Sequence, residues 1–289
     1  MQIRRFAENP IIRPGMDERM GLNINGPSLI RAPDWLPNPL GRYYLYFAAH
    51  SGRYIRLAYA DRLEGPWTVH PPGALQIEET PFTHHIASPD VHVDEGGRRI
   101  IMYYHGCGGV PAGYHSQVER VAVSRDGLRF VSRDEILGKF YWRVFFRQGW
   151  TTALTMPGTF YRSRDALTGF QEGPTRFTEH MRHSAVMLDG DVLSVFFSNA
   201  GDRPERILLS TIRLTPDWTR WRESAPQILL EPETPYEGAD LPLEASRRGA
   251  APGRVRQLRD PCIYREGGRT YLLYAVAGES GIALAELLP

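Results

Sequence analysis

One pattern recurs five times along the chain, and few folds can accommodate it. A polar or turn-forming residue leads into a short apolar strand, a tight turn follows, and the chain returns as a strand rich in Tyr, Phe, Val and Leu. It reads NGPSLIRAPDWLPNPLGRYYLYFAAH at 25–50, SPDVHVDEGGRRIIMYYHG at 88–106 and YWRVFFRQGWTTALTM at 141–156. It returns as MRHSAVMLDGDVLSVFFSNAG at 181–201 and LRDPCIYREGGRTYLLYAVAG at 258–278. A second, weaker hairpin follows each of the first four: 54–70, 119–133, 158–174 and 206–224. The fifth is followed by a single strand, GIALAELLP, at 281–289.

Short β-branched and aromatic runs punctuated by Gly, Pro, Asp and Asn describe an all-β chain. A hairpin-plus-hairpin unit repeated at this spacing describes a β-propeller of four-stranded antiparallel blades. A pair of β-sandwiches does not require the same unit five times. The expectation is one five-bladed propeller domain over 1–289, with the N-terminal NPIIRP (9–14) supplying the strand missing from the last blade. The turn-rich stretch 231–257, between the fourth and fifth units, reads as a functional loop.

Composition narrows the function. The 42% hydrophobic and 23% charged content is ordinary for a globular chain. A net charge of +1, with scattered arginines, argues against a nucleic-acid partner. No apolar run reaches membrane-span length, and MQIRRFAENP lacks the apolar core of a signal peptide, so a cytoplasmic protein without membrane partners is expected. Cys107 and Cys262 form neither a disulfide framework nor a metal-ligand motif. The sequence leaves the oligomeric state open.

The blade strands carry a family likeness. SPDVHVDEGGRRIIMYYHG resembles a blade of the glycoside hydrolase family 43 arabinanases and xylosidases. NGPSLIR…GRYYLYF and RDPCIYREGGRTYLLYA resemble the Asp-Pro blades of those enzymes and of related fructan-cleaving families. The resemblance implies a sugar pocket at one mouth of the central channel, with acidic residues at the starts of the innermost strands. It also implies an Asp base in the first blade, a second Asp that tunes the acid, and a Glu acid on a Glu-Gly-Pro strand. Some members hold a buried central cation, often calcium.

This chain departs from that triad. Asn25 stands where the first-blade Asp is expected, Tyr141, Trp142 and Arg143 replace an Asp-Pro, and Arg182 and His183 replace the Glu-Gly-Pro. Only Asp90 and Asp260 keep an acid near a strand entrance. Strand entrances converge on the channel, and Asn, Asp, His and Arg gathered there imply a polar ligand. Asp260 is the first candidate for general base, with Asp90 a weaker one. His183 is a candidate general acid, because imidazole titrates near neutrality; a related family acting on agar-derived sugars is understood to use a His in this way. Glu244, with Glu237 and Asp240, could bring a carboxylic acid over the mouth from the long loop and restore the two carboxylates of an inverting mechanism.

Asn25, His50, His85, Arg143, Arg182, Arg259, Trp142 and Glu279 are expected to bind substrate, the arginines suiting an acidic sugar. Hydrolysis itself requires no cofactor. His50, His85 and His183 form a candidate transition-metal set, beside a calcium alternative. Three functions follow: hydrolysis of a small carbohydrate, a metal-dependent lyase or isomerase reaction, and sugar binding without catalysis.

Overall fold

The computed structural model describes residues 2–288. Strand β1 (Gln2–Arg5) precedes five sheets in chain order. The first holds β2 (Asn25–Arg31), β3 (Tyr43–Ala48), β4 (Tyr54–Ala60) and β5 (Thr68–Gln76). The second holds β6 (His85–Asp94), β7 (Arg99–Cys107) and β8 (Gln117–Ser124). Two short strands, β9 (Val131–Ser132) and β10 (Gly138–Lys139), both pair with β8 on its outer side. The third holds β11 (Arg143–Arg147), β12 (Trp150–Leu154), β13 (Thr159–Ser163) and β14 (Gln171–Thr175). The fourth holds β15 (Met181–Asp189), β16 (Val192–Asn199), β17 (Ile207–Arg213) and β18 (Gln227–Leu230). In the fifth, β19 (Arg259–Glu266), β20 (Arg269–Ala275) and β21 (Ile282–Leu288) are completed by β1. All pairings within the sheets are antiparallel, and the molecule is a five-bladed propeller.

Blades are buried on both faces, which explains why their middle strands are continuously apolar rather than alternating. All six residues of β3, YYLYFA, are buried. Five hydrophobic clusters result, one between each pair of neighbouring blades. Trp142 belongs to the cluster between blades 2 and 3, where it packs on Tyr103, Tyr161 and Phe170 with no exposed surface. It is a core residue, not the substrate-stacking aromatic expected from the sequence.

Two sequence expectations change. The strand that closes the last blade is Gln2–Arg5, paired from Gln2↔Leu288 to Arg5↔Ala285, not 9–14. Within 9–14 only Ile12 bridges to β21, at Ile282; Pro10 and Pro14 have no N–H to extend a ladder. The outer strand of blade 4 lies at 227–230, because Trp218–Arg220 forms a 3-10 turn capped by Asp217.

Candidate active site

Blade geometry sets the site through one repeated backbone device. The residues Gly26, Ser88, Tyr141, His183 and Asp260, at or just before the five innermost strands, have φ of 59°, 50°, 64°, 47° and 49°. In four of these strands the ladder shifts register at the same place: Asn25/Ser28, Ala87/Asp90, Arg182/Ala185 and Arg259/Cys262. A bulge of this kind bends the strand and re-aims one side chain. Left-handed backbone at four non-glycine residues in equivalent places is strain of the sort that collects at functional sites. Ser88, Tyr141, His183 and Asp260 all line one cavity of about 230 Å3 at the channel mouth. That volume lies below the drug-sized range of roughly 300–1,000 Å3 and suits a single small ring.

This register revises the alignment made from sequence. The blade-1 counterpart of Asp260 is Gly26 rather than Asn25, and the blade-2 counterpart is Ser88 rather than Asp90. Asp90 lies two residues further along β6 and does not line the cavity. Its Oδ2 accepts the Val144 N–H at 2.7 Å and pairs with His92 Nε2 at 2.8 Å. Burial would raise its pKa, but His92, Arg143 and the Val144 N–H outweigh burial and hold it below the usual range. Asp90 ties blade 2 to blade 3.

Asp260 is the most chemically poised group. It is 2% exposed, and its Oδ1 accepts the Tyr141 hydroxyl at 2.7 Å. Its Oδ2 has no hydrogen-bond partner. Burial, then the negative charge of Glu279, pushes its pKa up to about 6, against the opposing pull of the Tyr141 hydrogen bond and the arginines. His183 Nδ1 lies 3.7 Å from that free oxygen and is itself unpaired. Arg182 donates to His183 Nε2 through Nε and Nη2, at 3.3 and 3.1 Å. Nε2 is therefore the acceptor and Nδ1 carries the proton. Burial, then Arg182 and Arg259, drives the His183 pKa well below its ordinary value, so the ring is neutral. Tyr141 stacks on it, with ring centroids 5.2 Å apart.

The opposite wall is held by ion pairs. Glu279 accepts from Arg259 Nη1 at 3.0 Å and Asn23 Nδ2 at 2.6 Å, with His50 Nδ1 at 3.7 Å. Burial opposes ionisation, yet these partners pull its pKa down to about 2. Glu205, completely buried and not anticipated from sequence, lies 3.1 Å from Arg259 Nε and 3.6 Å from Arg182 Nε, and accepts Ser198 Oγ at 2.6 Å.

The remaining candidates divide cleanly. Asn25, His50, His85 and Arg182 line the cavity with Asp260, His183 and Glu279. Arg259 and Arg143 do not line it. Arg143 is buried in the channel, donating to Ser184 O at 2.9 Å and to Pro89 O and Trp142 O at 3.1 Å, and so binds the innermost strands of three blades together. Glu244 is exposed and lines a different cavity. Glu237 is committed to Arg5 and Tyr274. The long loop reaches the mouth instead through Arg248 and Gly249.

The proposed metal ligands do not converge. His85 Nδ1 meets Cys107 Sγ at 3.1 Å, His50 faces Glu279, and His183 is held by Arg182. Among the described residues no group of three or more His, Cys, Asp or Glu is arranged to hold a metal ion. Calcium fits no better, because the Arg143 guanidinium already donates to the channel carbonyls and stands 3.9 Å from Asp90.

Comparison with known proteins agrees with this architecture. No family model matches the chain. A protein of Acanthamoeba polyphaga mimivirus, itself uncharacterized, is 37% identical over 320 residues, covering 98% of this chain and 89% of the viral one. The chain belongs to the same family as that viral protein. Among solved structures, a glycosyl hydrolase from Bacteroides ovatus superposes with a TM-score of 0.68 at 12% identity, over 99% of this chain and 93% of its own. The catalytic domain of a Coprinopsis cinerea family 62 α-L-arabinofuranosidase gives 0.65 at 15% identity, over 99% and 97%. The fold is that of the five-bladed glycoside hydrolase propellers. Among the described residues no helix is long and apolar enough to cross a membrane.

Proposed function

We propose that the protein hydrolyses a glycosidic bond of one neutral sugar unit seated in the channel-mouth cavity, with Asp260 as general base. The observation that carries this reading is a pair of buried atoms without hydrogen-bond partners, Asp260 Oδ2 and His183 Nδ1, 3.7 Å apart on two residues that line the cavity. An oxygen within hydrogen-bond reach of both accepts from Nδ1–H and donates to Oδ2. A water held there is oriented by His183 and loses its proton to Asp260, which is mostly ionised at neutral pH with a pKa of about 6. As that water attacks the anomeric carbon, the glycosidic C–O bond breaks, its electron pair leaves with the departing oxygen, and the configuration inverts. Tyr141 fixes the carboxyl and tunes it. His183 is a positioning residue here rather than the general acid, because its Nε2 is occupied and its protonated form is suppressed. Glu279 stays ionised, suiting a sugar hydroxyl or developing positive charge. Arg143, Arg182 and Arg259 are committed inside the protein, which favours a neutral sugar over an acidic one. Similar solved structures named as glycoside hydrolases support the substrate class.

A panel of 4-nitrophenyl glycosides tests this. One or more should be cleaved by the wild type and spared by Asp260→Asn, while the released or analogous free sugar still binds that variant. Cleavage by Asp260→Asn at the wild-type rate rules out the assignment.

A further inference from the structure

The sugar cavity has a larger neighbour, of about 530 Å3, on the other side of Glu279. Its walls join the β20–β21 turn of the fifth blade, with Val276 and Glu279, to parts of the chain outside the blade repeat: Arg13 and Leu22 from the N-terminal segment, and Tyr236 and Arg254 from the long loop. Glu279 borders both cavities, and Asn23, which bonds Glu279, lines the second. Leu22 is 78% exposed, with Tyr236 and Val276 also on this apolar wall. Arg13 and Arg254 are both exposed on its border. The Arg13 guanidinium has no hydrogen bond or ion pair among the described residues, and Arg254 spends only Nη2, on Pro235 O at 2.8 Å. Among the described residues Glu279 is the single acid lining this cavity, neutralised by Arg259 and hydrogen-bonded by Asn23. The surface is thus an apolar wall with two available guanidiniums.

The chemistry of the sugar cavity asks for such a neighbour. Among the described residues, Asp260 and Glu279 are the only carboxyls lining it. Asp260 serves as base, and Glu279 is ionised far below neutral pH. No neutral carboxylic acid is left to protonate a departing alcohol. A leaving group that departs as a stable anion needs no such proton.

Resting on the glycosidase reading above, we infer that the natural substrate is a sugar phosphoester whose leaving group is a ring-bearing organic phosphate, seated in this second cavity. Arg13 and Arg254 fork onto the phosphate oxygens, and the ring lies on Leu22 and Tyr236. Water attacks the anomeric carbon and yields its proton to Asp260. The bond from the anomeric carbon to the phosphate oxygen breaks, and its electron pair leaves with the phosphate. Asp260 then releases the proton to solvent.

Calorimetric titration with phenyl phosphate, beside inorganic phosphate and phenol, tests the site without knowing the sugar. Saturable one-to-one binding of phenyl phosphate is expected, at least tenfold tighter than either fragment. Arg13→Ala/Arg254→Ala should weaken it at least tenfold, Arg13→Lys/Arg254→Lys should restore most of it, and Asp260→Asn should leave it unchanged. Circular dichroism melts confirm that the exposed arginine variants fold. Absence of saturable binding, or undiminished binding by the folded double-Ala variant, overturns the inference. The two readings fail separately: loss of aryl-glycoside cleavage in Asp260→Asn without phenyl phosphate binding sinks only this one. Phenyl phosphate binding with unaffected cleavage in Asp260→Asn sinks the base assignment instead.

Discussion

Asp260 and Glu279 are both nearly fully buried, both line the same cavity, and titrate in opposite directions. Asp260 has one neutral donor, Tyr141, and one bare oxygen, and is pushed up to about 6. Glu279 has Arg259, Asn23 and His50 around it and is pulled down to about 2. Burial raises both, so the difference lies in the partners. The paired wall holds the cavity in shape, and the under-satisfied wall keeps a group able to exchange a proton near neutrality.

The largest expected effect falls on the reactive side. Asp260→Asn should lower turnover of any cleaved glycoside by about 10²–10⁴-fold, the range typical of a lost acid–base group, with sugar affinity little changed. A comparable loss of affinity would instead make Asp260 a binding residue. On the paired side, Glu205→Gln should destabilise the fold by about 3–5 kcal/mol, since it leaves Arg182 and Arg259 buried with less counter-charge. Chemical denaturation measures this, and an effect below about 1 kcal/mol would mean that the wall is not held by these pairs.

Tyr141→Phe sharpens the comparison. The Tyr141 hydroxyl stabilises the ionised carboxylate, so its loss should raise the Asp260 pKa and move the acidic limb of the pH–rate profile to higher pH. An unmoved limb would separate Tyr141 from the titrating group. The smallest effect is in stability. Between about pH 4 and 6 folded Asp260 holds a proton that the unfolded chain has released, so its contribution to stability declines as pH rises through that window. Glu279 does the reverse, and its contribution is lost as pH falls from about 4.5 towards 2. Asp260→Asn should therefore be more stable than wild type at pH 7, on the order of 1–2 kcal/mol, whereas Glu279→Gln should be less stable. Thermal melts at pH 5 and 7 read the sign of each.

The blades were legible because each repeats one apolar hairpin, and a doubly covered sheet leaves a strong compositional trace. Asp260, His183 and Glu279 were legible because polar residues beside buried strands demand an explanation. Asp90 misled because a bulge shifts the register: by sequence SPD looks like RDP, whereas by backbone it is Ser88 that matches Asp260. Arg143 and Trp142 misled because nothing local separates a side chain aimed at the mouth from one buried below it. Glu205 was hidden within GDRPER, which reads as a solvated turn. The one signal pointing to it was indirect, since Arg182 and Arg259 at buried strand entrances require a counter-charge. Tyr141 was visible only as a departure from a family pattern, and its partner lies 119 residues away.

The central claim is that Asp260 is a buried carboxyl poised to exchange a proton near neutral pH. Carbon-13 NMR of protein labelled at the aspartate carboxyls, with Asp260 assigned by difference from Asp260→Asn, measures it directly. The account predicts one carboxyl titrating with a midpoint near 6, moving upward in Tyr141→Phe. A midpoint at or below the ordinary aspartate value of about 4 would contradict it.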